Sequence, residues 1–396
     1  MSRYARRRDP AVRPKKKVEL QEGNITLRLL CVGVAIVVAA LAFGTVVNNL
    51  LRTQTGWQEI EPANPETGIA QDFLLCYNIG HTDQAASAEL KAVSAHYSEA
   101  MDHAYRVLSN VEQTPYVNLY TLNRQPNTDI TVDPLLYEAF ALVEQSGSRL
   151  PYFAPMTEQY QSLFACTYDE EAEKYDPSRS EEVAEFAQEI AAFANDPKAV
   201  QVKLLPDCRL RLEVSGEYLA YAQENEVESF VDFGIALNAF LCDAVADSLE
   251  ERGFVNGYLT SFDGYTRVLC VDEFGLNVFD QVEGQTRQLG TVIYDSPASI
   301  VSCRSFPILD KDSAIYYTYS DGTVLAPYLN DQGRLQAAVA SLSTLSGEDS
   351  VAALALRTLA AYAGEDGTFP ALDDLSWVSG ANQQITLHGP AFRLAE

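Results

Sequence analysis

The stretch VDFGIALNAFLCDAVADSLEERGFVNGYLTSFDG, residues 231–264, decides how this chain is read. Apolar residues recur at helical spacing from about 234 to 252, and Gly253 follows as a stop. Two aspartates, Asp232 and Asp243, stand eleven residues apart. Eleven helical steps return to within about 20° of the starting direction. A helix through both would place two carboxylates on one face. The end of the stretch, NGYLTSFDG, opens a run of alternating segments: YTRVLCVDE, LNVFDQV, QLGTVIYD, SIVSCRSF and AIYYTYSDGTVLAPYL, all expected as strands.

Upstream, QDFLLCYNI (residues 71–79) reads as a strand and 85–108 as a helix. YVNLYTLN (116–123) reads as a strand or sheet edge. Residues 133–147 read as a helix with Asp at the cap, Pro in the first turn and Gly at the end. Residues 169–182 are dense in charge and are expected as a solvated loop. A capped amphipathic helix over 180–196 follows. AVQVKLLP, RLRLEVSG and YLAYA resemble short strands, and a last helix is expected over 349–363. Helices flanking a run of strands give an α+β fold with mixed or antiparallel sheets.

The chain has 396 residues and a net charge of -27, which argues against a nucleic-acid partner. Charge is divided unevenly. The first 28 residues hold nine basic and three acidic residues, leaving 19 basic and 52 acidic residues in the rest. Between tail and body lies LLCVGVAIVVAALAFGTVV (29–47), which contains no charge. As a helix it spans roughly 28 Å at about 1.5 Å per residue, close to a bilayer core. The basic side stays cytoplasmic, so a single-pass cell-membrane protein with an extracytoplasmic body is expected. The organisation expected is a basic tail (1–28), a transmembrane anchor (29–51), a linker (52–71), one α+β domain (72–365) and a C-terminal tail (366–396). The rival reading is a cleaved signal peptide, but the n-region is long and the apolar run exceeds about 15 residues.

Six cysteines lie beyond the anchor, and their even number permits disulfides, although most sit in apolar surroundings as single thiols do. No CxxC pair, GxGxxG, Walker loop, GxSxG or HExxH is present. His96 and His103 nearly share a helix face but lack further ligands at metal-binding spacing.

The opening stretch resembles the core motif of the FAD:protein FMN transferases, the ApbE family, which reads roughly D-L-G-G-I-A-K-G-Y-A-V-D, then a helix, then a Gly-Gly pair. Asp232, Gly234, Phe240, Asp243, Gly253 and Asn256 match in register. Asn238 stands where the family has Lys, Ala239 where it has Gly, and Phe262 and Asp263 where it has Gly-Gly. FLLCYNIG, LYTLN and ALVEQSGSRLPYFAP resemble further family segments in order, with Pro151 for a Gly and Ala154 for an Asp. VASLSTLSGEDSVAALAL resembles the closing motif, keeping Asp349 but having Ala353 in place of the metal-binding Thr.

The resemblance implies a single ApbE-like domain, which follows the transmembrane helix expected over 29–51. It also implies FAD and magnesium as cofactors. In the family a divalent metal neutralises the FAD pyrophosphate while a Thr or Ser hydroxyl of an acceptor protein attacks, leaving FMN attached. Carried over, Asp232, Gly234, Asn238 and Asp243 would contact the flavin and Asp349 would hold the metal, with no catalytic residue named. Each aspartate also has a structural alternative: a helix N-cap for Asp232 and Asp349, a polar residue on a half-exposed helix for Asp243. The alternative function is a non-catalytic extracytoplasmic module that binds a ligand or protein on the same scaffold.

Overall fold

In the computed structural model, the described residues are 55–110, 114–270, 274–295, 297–308, 312, 314–330, 339–364 and 368–395. The basic tail and the anchor expected over 29–51 lie outside them. Among the described residues no helix is long and apolar enough to cross a membrane.

The frame is an eight-stranded sheet. It consists of β1 (Gly56–Ile60), β2 (Phe73–Ile79), β6 (Gly257–Ser261), β7 (Tyr265–Val268), β10 (Ala298–Arg304), β13 (Ser341–Ser346), β14 (Ser376–Ala381) and β15 (Gln384–His388), in that spatial order. Every neighbouring pair is antiparallel. Both faces of its centre are covered, and alternate side chains serve different cores. On β10 Val301 and Cys303 point into the larger core while Ile300 joins a smaller one on the other face. On β13 Leu342 and Leu345 divide in the same way.

Helices α1 (Ala86–Leu108), α8 (Leu237–Glu251) and α9 (Val351–Tyr362) supply the larger core with residues such as Met101, Leu241 and Leu354. The smaller core is closed by β8 (Phe274–Val282) and β9 (Gln285–Tyr294), through Val278, Val292 and Tyr294. A second sheet joins β3 (Asp129–Thr131), β5 (Arg209–Val214) and β4 (Val200–Leu205). The α+β expectation therefore holds.

Local chemistry explains the helix starts. Asp133 caps α3 (Pro134–Ser146) by accepting from Leu135 N, and Gly147 ends it at φ +66°. Ser180 caps α6 (Glu181–Asn195) through Val183 N. Two expected strands are helices instead. Asn118 accepts from Thr121 N at 3.1 Å and starts α2 (Leu119–Asn123). Ser215 accepts from Tyr218 N at 3.1 Å and starts α7 (Gly216–Glu224). In both, a capping side chain overrides the strand preference of Tyr, Val and Leu.

The acidic run expected as a solvated loop contains α5 (Asp169–Ala172) and a 3-10 turn. Within it Asp176 is buried and accepts from Tyr319 Oη at 2.9 Å. The segments expected as linker and tail both reach into the sheet, where β1 pairs with β2 and β14 pairs with β13. Strand pairing of this kind is non-local, so polar composition alone conceals it. The six cysteines among the described residues are all free thiols, of which Cys242 and Cys303 are buried.

The hairpin between β6 and β7 turns at Gly264, whose φ is +106°. A Cβ there would lie 2.2 Å from the Ser302 carbonyl oxygen. Gly264→Ala should therefore cost at least about 2 kcal/mol. Urea unfolding measures this, and a wild-type midpoint would show that the turn is not constrained.

Candidate functional site

Asp232 does not share a helix face with Asp243. A 3-10 turn, Gly234–Ala236, and a left-handed Gly234 at φ +53° separate it from α8. Asp232 Oδ1 accepts from Gly234 N at 2.8 Å, and its own N–H donates to Pro151 O at 2.8 Å. It shapes the turn that enters the helix, as aspartates do in Asx turns. Burial raises its carboxyl pKa, with the Gly234 N–H opposing.

The approach to Asp232 is clamped by Asn123, at the end of the LYTLN segment. Asn123 Oδ1 accepts from Phe230 N at 2.8 Å and Val231 N at 3.0 Å, while its Nδ2 donates to Val231 O at 2.8 Å. Sequence reading missed this residue, although the family-like LYTLN segment held the signal.

Asp243 sits on α8 and serves α9. Its carboxylate accepts from Val351 N at 2.8 Å and from Ala352 N at 2.7 Å. Ser350 Oγ accepts from Ala353 N at 3.2 Å. Three of the four N–H groups that a helix start leaves unpaired are thus taken by side chains. Burial pushes the Asp243 carboxyl up to about 6, against those two N–H bonds.

Asp349 is not the cap of α9, since Ser350 holds that position. Its backbone N–H donates to Ser346 Oγ at 2.9 Å, and its carboxylate lies 4.0 Å from the Arg357 guanidinium. Ala353, in the place of the family's Thr, offers no side-chain oxygen. Among the described residues no group of three His, Cys, Asp or Glu is arranged to hold a metal ion. Of the two side-chain oxygen donors that the resemblance implies for the metal, this chain keeps Asp349 and lacks the Thr. His103 instead meets Asp133 at 3.1 Å.

Gly234 and Asn238 line a cavity of about 310 Å³, together with Asp72, Phe262, Asp263 and Tyr328. Asn238 Nδ2 donates to Asp263 Oδ2 at 2.9 Å. Burial pushes the Asp263 carboxyl up to about 6, opposed by Ser261 and Asn238, and Asp72 adds like-charge repulsion. A second cavity of about 850 Å³ is lined by Arg149, Phe153, Thr157, Leu356 and Arg357. Thr157 borders the larger cavity and Gly234 the smaller. A Cβ on Gly234 would meet Thr157 Cγ2 at 3.0 Å, so the two residues form a shared wall. The structure thus brings Gly234 and Asn238 to one cavity. Asp232 and Asp243 are held in backbone bonds, and Asp349 faces Arg357.

No protein-family model and no curated protein matches this sequence. Solved structures do. The ApbE protein of Thermotoga maritima superposes with a TM-score of 0.53 at 14% identity, covering 87% of this chain and 97% of that one. The flavin transferase ApbE from Vibrio cholerae gives 0.54 at 12% identity, covering 84% and 98%. The Pseudomonas stutzeri flavinyl transferase ApbE gives 0.51 at 13% identity, covering 85% and 95%. The chain has the ApbE-like fold, strongly diverged in sequence.

Asp243→Ala should lower stability by about 2–3 kcal/mol, because two N–H groups of α9 lose their acceptor. A urea midpoint equal to wild type would contradict this cap.

A pH prediction follows from Asp263. Its carboxyl lies near 6, above the ordinary 3.8, so between about pH 4 and 6 the folded chain holds more protons than the unfolded one. Its stabilising contribution is complete below about pH 4 and is lost as pH rises through about 6. Wild type should therefore fall in stability relative to Asp263→Asn across that window. Parallel urea-midpoint profiles would refute it.

Proposed function

We propose that this chain is a membrane-tethered, extracytoplasmic ligand-binding module built on the ApbE flavin transferase fold, with metal-assisted FMN transfer lost. One observation carries the reading: the first turn of α9 is filled from within. Asp243 and Ser350 take the N–H groups of Val351, Ala352 and Ala353. A free helix start is a ready anion site, and here three of its four free N–H groups are already taken. The neighbouring Asp349 and Ala353 do not supply the oxygen set that a hard divalent cation needs. The membrane tether rests on the uncharged run at 29–47 and its basic flank.

A second reading keeps the family chemistry: transfer of FMN from FAD to a Thr or Ser of an acceptor protein, assisted by magnesium. The breadth of the likeness favours it, since the match spans 95–98% of the solved flavin transferases. In that reading FAD reaches the 850 Å³ cavity, where Arg149 and Arg357 stand on the wall. Arg149 donates to Ala194 O and Val200 O, each at 2.7 Å, and Arg357 bonds Asp374 and Ala371 O. Both guanidinium groups are thus already engaged in holding the fold.

Flavin fluorescence during FAD titration of the full chain in detergent, with and without magnesium, separates the two. The module reading expects any FAD affinity to be unchanged by magnesium. Magnesium-dependent tightening abolished by Asp349→Ala would establish the second.

A further inference from the structure

The smaller cavity has a chemical character of its own. The Gly264 turn fixes the β6–β7 hairpin, and Ser261 Oγ accepts from Tyr265 N at 3.0 Å within it. The N–H of Phe262 donates to Asp72 O at 2.9 Å, which brings a second acidic residue to the same wall. Asp263 thus enters the cavity on a constrained turn. Its Oδ2 takes the Asn238 amide at 2.9 Å, while its Oδ1 is buried without a hydrogen-bond partner, the nearby Ser261 hydroxyl being directed to Tyr265 O at 3.3 Å. A buried carboxylate oxygen left unpaired is costly, and a native chain holding one calls for an explanation.

The rest of the lining supplies one. Phe164, Phe262, Tyr265 and Tyr328 contribute aromatic surface, and among the described residues no Lys, Arg or His lines the cavity. The tyrosine hydroxyls are engaged on the protein: Tyr265 donates to Ile235 O at 2.6 Å and Tyr328 accepts from Arg304 N at 3.2 Å. Two carboxylates with aromatic rings and no basic residue repel a phosphate and attract a cation. A volume of about 310 Å³ lies at the small end of ligand sites, far short of a dinucleotide.

We infer that this cavity binds a small organic cation, an ammonium compound whose charged head pairs with Asp263 Oδ1 and packs against the aromatic wall. The inference rests on the ligand-binding reading and names the ligand class for that module. Asp263 replaces part of the Gly pair of the resembling family, so one substitution both adds the counter-ion and narrows the site. Binding then satisfies the orphaned oxygen and holds the carboxylate ionised.

The test is isothermal titration of the full chain in detergent and phosphate buffer, with choline and n-butylammonium as probes and AMP as the anionic comparator. At least one ammonium probe is expected to bind more tightly than AMP. Asp263→Asn is expected to weaken that probe at least about tenfold, the scale of one charge-assisted contact. Glu217→Ala, exposed in the first turn of α7 and outside the cavity, should leave it unchanged. Urea unfolding of Asp263→Asn shows whether the variant is folded, and Asp72→Asn serves as the second charge deletion if it is not. Failure of both ammonium probes, tighter AMP, or a probe indifferent to whichever charge deletion folds would overturn the inference. Magnesium-dependent FAD binding would instead overturn the module reading, whatever the ammonium result.

Discussion

The arrangement depends first on one half-buried contact between helices. The Asp243 carboxylate on α8 receives the first two N–H groups of α9, at 2.8 and 2.7 Å. Both helices lie in the larger core, with Leu241 and Cys242 on one and Leu354 and Leu356 on the other. Their apolar packing supplies area, but the cap fixes where α9 begins and at which point it meets α8. A helix start must find acceptors for its free N–H groups, and here the acceptor comes from a distant part of the chain. The same contact takes up two N–H donors that an anion would otherwise find at this helix start.

A comparable economy governs the approach to α8. Asn123 clamps residues 230 and 231, Asp232 bonds Gly234 N, and Gly234 adopts a left-handed conformation against Thr157. These contacts set the angle at which α8 leaves the wall between the two cavities. Asp232, Gly234 and Asp243, which resemble a flavin motif, act here on the backbone. Asn238 bonds Asp263, and Ala353 carries no side-chain oxygen.

Much of this was legible in the sequence. Helices such as α3 and α6 announce themselves because Asp133 and Ser180 act within their own first turn. Alternating strands with buried faces are equally local signals, and the order of family-like segments gave the fold. What escaped depends on partners far along the chain. Asp243 reads as a polar residue on a half-exposed helix until α9 arrives 108 residues later. The final residues read as a tail, because nothing in SWVSGA reveals that β14 pairs with β13. The shared face expected of Asp232 and Asp243 failed because Gly234 starts a 3-10 turn. Asp263 was visible only as a departure from Gly. Its unpaired oxygen appears once Asn238 and the hairpin are in place.

The central claim is that this fold retains a cleft while its metal-assisted chemistry has been dismantled. The most direct measurement is mass spectrometry of a Thr-containing acceptor peptide incubated with the full chain, FAD and magnesium. The account predicts no FMN adduct on the peptide. A magnesium-dependent adduct that disappears in Asp349→Ala would contradict it.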